Sequence, residues 1–96
     1  MMRQQHVNRV IGEHVASVLL GQGASKQGTA RRAGIAPTTF RRCLTGERAL
    51  FVSELWRVSQ ALALDVGALL PPAELLNAAV DRQRAEYLDD SEWPEG

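Results

Sequence analysis

An all-α fold, five helices followed by a C-terminal helix and a short acidic tail, is what this chain predicts, on three observations. Apolar residues recur at three- and four-residue intervals in its longer segments, the repeat of an amphipathic helix. Glycine and proline punctuate those segments at Gly21, Gly23, Gly34, Gly46 and Pro71-Pro72. Of the 96 residues 45% are hydrophobic but only 5% aromatic, so the core is built from Ala, Val, Leu and Ile, which suits packed helices better than a β-sandwich.

The first helix is expected over residues 4–20, where Val7, Val10, Ile11, His14, Val15, Val18 and Leu19 follow the helical spacing and Gly21 and Gly23 end it. Ser25 stands where an N-cap belongs, ahead of a short second helix over 26–33. Gly34 permits a left-handed turn, and Pro37 suits the first turn of a third helix over 37–44, which Thr45 and Gly46 close. A fourth helix carries Val52, Leu55, Trp56, Val58, Ser59 and Leu62, and its periodicity puts Trp56 in the core. Asp65 caps a short fifth helix over 66–70, which must stop at Pro71 because the residue before proline avoids helical geometry. A C-terminal helix over 73–88 presents Leu76, Val80, Gln83 and Tyr87 along one narrow side.

Residues 89–96 hold four acids, a proline and Trp93, too little apolar surface to fold alone, and are expected to be mobile. Trp93 is left either to stay solvated there or to dock on another surface.

The formal net charge of zero conceals two opposite halves. Residues 1–60 carry nine basic side chains against three acidic ones, a balance of +6, and residues 61–96 carry two against eight, a balance of −6. Such asymmetry fits a polyanion-binding face joined to a solvating or protein-contacting end. One cysteine, Cys43, allows no internal disulfide or Cys-rich metal site and reads as a small core hydrophobe. His6 and His14 lie eight residues apart, without metal-ligand spacing, so no metal or cofactor is expected. Ser17, Ser53 and Ser59 lack a glycine-flanked nucleophile turn, no glycine-rich phosphate loop is present, and the chain is not expected to be an enzyme. No apolar run approaches the roughly 18 residues that span a bilayer. A cytoplasmic, non-membrane protein is therefore expected.

The informative stretch is 25–46, SKQGTARRAGIAPTTFRRCLTG, two short helices joined by a tight glycine turn, the helix-turn-helix layout. Ala30 is small where the helices approach, Gly34 makes the turn, and Ile35 and Phe40 can bury between them.

These residues resemble the Xre family of helix-turn-helix proteins, the phage repressor and Cro type. Ala30, Gly34, Phe40 and Gly46 match its pattern, and SELWRVSQALALDVGALL is similar to its fourth and fifth helices, with Leu55, Ala61, Leu62, Val66, Leu69 and Leu70 as core. The likeness runs from the first helix to Leu70, about two thirds of the chain. Three positions depart from it: Lys26 stands where Gln is frequent, Cys43 where Leu or Ile is usual, and Pro37 where many relatives carry a base-reading Gln or Ser.

The resemblance implies a DNA-binding domain over 1–70 with helix three in the major groove of double-stranded DNA. Phe40, Cys43 and Leu44 then face inward, leaving Thr38, Thr39, Arg41 and Arg42 as base-contacting candidates. Ser25, Lys26, Gln27, Thr45 and Arg48 are the phosphate-contacting candidates, and Arg31 and Arg32 add to the positive field. A palindromic operator bound by a homodimer is implied, with residues 71–88, through Leu76, Val80 and Tyr87, as the first candidate for pairing and the long first helix as the second. The expected function is transcription regulation by operator occlusion, as in a Cro-like or immunity repressor. The alternative is an antitoxin- or antirepressor-like module whose acidic C-terminus binds a protein partner.

Overall fold

The computed structural model describes residues 6–88, with side chains through residue 86. The expected mobile tail, Trp93 and the first residues of the expected first helix lie outside the described residues, as does the side chain of Tyr87. Within them the chain is all-helical: α1 (His6–Gln22), α2 (Lys26–Ala33), α3 (Pro37–Leu44), α4 (Val52–Ala61), a 3-10 turn (Val66–Leu69) and α5 (Ala73–Leu88).

The punctuation follows local chemistry. Ser25 Oγ accepts the Gly28 amide at 2.9 Å, which satisfies one of the unpaired donors at the start of α2. Gly34 closes α2 with φ 72° and ψ 31°, the left-handed geometry glycine adopts without steric cost, and Pro37 occupies the first turn of α3. α1 runs past Gly21 and ends only at Gly23, whose φ is +66°. A glycine in helical geometry does not stop a helix, whereas one in left-handed geometry does.

Phe40, Leu19, Leu69, Val15 and Val58 are fully buried at the centre, with Ala30, Ala33, Ile35 and Leu44 around them. Each large apolar side chain so buried stabilises the fold by about 1.5–3 kcal/mol. Cys43 is buried as a free thiol.

Three expectations are corrected. The fifth helix is one 3-10 turn ending at Leu69, and the Asp65 side chain makes no capping bond to it. Leu70, expected in the core, is 41% exposed because extended backbone ahead of Pro71 turns it outward. Trp56 is 54% exposed rather than buried. The inward line of α4 runs through Leu55, Val58 and Leu62, so Trp56 falls to the side of it.

α5 lies antiparallel along α1. The Val7 amide donates to Gln83 Oε1 at 3.0 Å, the buried His6 ring meets the Glu86 carboxylate through Nε2, and His14 Nε2 donates to the Ala68 carbonyl at 3.1 Å just ahead of α5. Ala79 is buried in this seam and Leu76 half-buried, while Val80 remains 39% exposed.

Candidate nucleic-acid interface

α3 is held at a fixed depth by contacts on both sides. Gly12, in the middle of α1, approaches the end of α3 so closely that a Cβ there would press into the Cys43 carbonyl oxygen and stand 2.9 Å from that of Leu44. Gly46, with φ +84°, lies so close to Arg9 that a Cβ would be 2.6 Å from its Cα. The turn before α3 is fixed as firmly, since the Ile35 amide reaches the Ala30 carbonyl at 2.8 Å.

With Phe40, Cys43 and Leu44 buried beneath it, α3 turns Thr38, Arg41, Arg42 and Thr45 to solvent. Their spacing of three, four and seven residues puts them on one face. Thr39 is half-buried at the side of that face. Thr45 therefore joins the base-contacting candidates on one surface, although its expected partner was phosphate. Its hydroxyl lies 3.0 Å from the Arg42 carbonyl, to which it donates, and 3.0 Å from Glu47 Oε2.

Glu47 was not anticipated. Its Oε1 lies 3.7 Å from Arg42 Nε, so a carboxylate sits beside one of the two arginines on the face, both side chains being well exposed. Glu47 follows the end of α3, where helical periodicity no longer predicts direction.

Arg48 has a different place from the one expected. Its guanidinium is held by Glu54, with Nη1 on Oε1 at 2.9 Å and Nη2 on Oε2 at 3.1 Å, and Nη1 also reaches Cys43 Sγ at 3.2 Å. The bond to Glu54, then that to Cys43, raises the pKa of Arg48, and the bond from Arg48 holds the Glu54 carboxyl below its ordinary value. Glu54 Oε1 also accepts the Phe51 amide at 2.9 Å, so the same carboxylate caps α4. Arg48 thus pins the loop after α3 to the start of α4.

Ser25, Lys26 and Gln27 are exposed at the start of α2, and Arg31 and Arg32 are exposed near its end. The structure adds a cation at the turn, because Arg57 of α4 points Nη1 at the Gly34 carbonyl, 3.4 Å away. Its 23-residue separation from Gly34 hid this pairing from the sequence. His6, Arg9 and Arg82 line a shallow cleft between α1 and α5. Among the described residues, no cluster of three or more His, Cys, Asp or Glu could hold a metal, and no helix is long and apolar enough to cross a membrane.

No family model matches the chain. No curated protein matches it. Among solved structures it is similar to the clp gene regulator ClgR from C. glutamicum, with a TM-score of 0.60 and 18% identity, over 79% of this chain and 91% of that one. The likeness supports the all-helical, helix-turn-helix fold.

Proposed function

We propose that this chain is a sequence-specific, double-stranded-DNA-binding transcription regulator of the Xre type, a compact Cro-like or immunity repressor that acts by operator occlusion. One observation carries the reading: Thr38, Arg41, Arg42 and Thr45 share the exposed face of a helix whose opposite face is fully buried. That is the arrangement a recognition helix needs, with side chains free to enter the major groove and a backbone that does not yield. Arginine suits guanine because its planar fork bonds O6 and N7 together, and threonine offers a hydroxyl to a base or a methyl to thymine. Thr39, at the edge, contributes its hydroxyl from the side.

Ser25, Lys26 and Gln27 supply the phosphate contacts, with Arg31 and Arg32 adding positive field. Arg48 is left out of this set because its fork is occupied by Glu54. ClgR is a gene regulator, which agrees with this reading at the level of its class.

The test is a fluorescence-anisotropy titration against a random-sequence duplex pool and its selected winners, at two salt concentrations. Wild type should select a palindromic site; Arg42→Ala should lose about 1–3 kcal/mol on it and relax the preference at one base pair. Lys26→Ala should weaken all duplexes alike and reduce the salt slope by about one. Binding that selects nothing would overturn the reading in favour of a protein-binding module.

A further inference from the structure

The cleft between α1 and α5 is a second feature that recognition of a duplex does not use. Its volume is about 180 Å³. Two helix faces build it: Arg9 and Val10 follow His6 on α1 at three and four residues, and Leu75, Ala78, Ala79 and Arg82 repeat at three, four and seven on α5. Ala79 is buried and Val10 half-buried at its base, while Ala78, Leu75 and both arginines are exposed. The two alanines are the reason for the hollow, since side chains of that size leave a gap where packed helices are otherwise filled.

Charge and shape together limit what fits. None of the lining residues is acidic, and among the described residues no carboxylate pairs with Arg9 or Arg82, unlike Arg42 and Arg48. Glu86, the acid that reaches this seam, is bonded to His6 at Nε2, and the other ring nitrogen, Nδ1, lies 3.4 Å from Arg9 Nη2. The cleft thus offers one cation from each helix around an apolar base. A bare inorganic anion leaves that base uncovered, and a neutral apolar molecule leaves the guanidiniums unmatched. A carboxylate on a compact apolar body satisfies both, because the arginine fork accepts a carboxylate through two parallel bonds. A cavity of about 150 Å³ takes up benzene, so the space here suits a body of that size.

We propose that this cleft is a binding site for a small organic monocarboxylate of about benzoate size, held by Arg9 and Arg82 through its carboxylate and by Val10, Leu75, Ala78 and Ala79 through its apolar body. Such a ligand bridges α1 and α5. Arg9 also carries the backbone on which Gly46 rests, so the site adjoins the segment that ends α3.

The test is a two-dimensional ¹H–¹⁵N NMR titration of the full chain with sodium benzoate at constant ionic strength. Binding should saturate with a Kd on the order of 1 mM and should shift the amides of Arg9, Val10, Ala79 and Arg82. Benzamide, which keeps the ring without the charge, and acetate, which keeps the charge without the ring, should each bind at least about tenfold more weakly. Arg82→Gln should cost benzoate about tenfold. Ala78→Leu leaves both arginines in place and fills the hollow from an exposed helical position, so it should abolish saturable binding with an unchanged circular-dichroism spectrum. Shifts spread over the basic residues of α2 and α3 overturn the proposal, because they would mark an adventitious ion only. Equal affinity for benzamide overturns it as well, as does a wild-type chain that never saturates or an Ala78→Leu variant that binds like wild type. If Ala78→Leu changes the circular-dichroism spectrum, the surface variant Arg82→Gln decides: the tenfold loss upholds the site, and unchanged affinity overturns it.

Discussion

Arg48 and Glu54 meet fork to fork, with both terminal guanidinium nitrogens on both carboxylate oxygens at 2.9 and 3.1 Å. The pair joins the loop after α3 to the first turn of α4, and Glu54 at the same time accepts the Phe51 amide. Because this bonding lowers the Glu54 pKa in the folded state, its contribution is fully present above the unfolded value, about 4.3, and is lost as pH falls through the lower folded value. The urea midpoint of wild type should exceed that of Glu54→Gln at pH 7, and the gap should close below about pH 4. A gap independent of pH would contradict the assignment.

Two glycines of α1 should respond in opposite ways to the same substitution. Gly12→Ala drives a methyl into the Cys43 and Leu44 carbonyls and should cost about 1–3 kcal/mol. Gly21→Ala meets nothing within 4 Å and should stabilise by up to about 1 kcal/mol through helix propensity. Urea unfolding of both variants measures this.

On the DNA-binding proposal, Glu47 would compete with DNA for Arg42, from which it is 3.7 Å away. Glu47→Gln should free that arginine and remove a negative charge beside the phosphates, raising affinity for the selected duplex roughly two- to fivefold, the range of exposed ion pairs. The gain should shrink at high salt; anisotropy at two ionic strengths tests both statements.

Thr29 is fully buried in α2, and its hydroxyl finds no hydrogen-bond partner among the described residues. Thr29→Val keeps the shape and removes the unmet polar group, so it should stabilise by about 1 kcal/mol or more. An unfolding midpoint below that of wild type would show that the hydroxyl has a partner.

The helix-turn-helix was legible in the sequence because local chemistry determines it. Ser25 caps, Gly34 turns, Pro37 starts α3, and Phe40 repeats with Cys43 and Leu44 on one side, all within 20 residues. The outward face of α3 follows from the same periodicity, which is why Thr38, Arg41 and Arg42 could be named in advance.

What depended on contacts between distant segments could not be read that way. Trp56 shares the spacing of α4's apolar residues, but which side of that stripe meets the core is decided by where α2 and the 3-10 turn pack. Arg48 carries the same charge as a phosphate-binding arginine, and only the approach of Glu54 across the loop claims its fork. Gly12 looks like a weak point in a helix until α3 arrives against it. The sequence by itself thus determined α2, the glycine turn and the exposed face of α3, since these rest on interactions within one or two turns. Tertiary structure alone decided which charges are engaged, which aromatics are left outside and how closely α1 supports α3, because burial and pairing are properties of the packed whole.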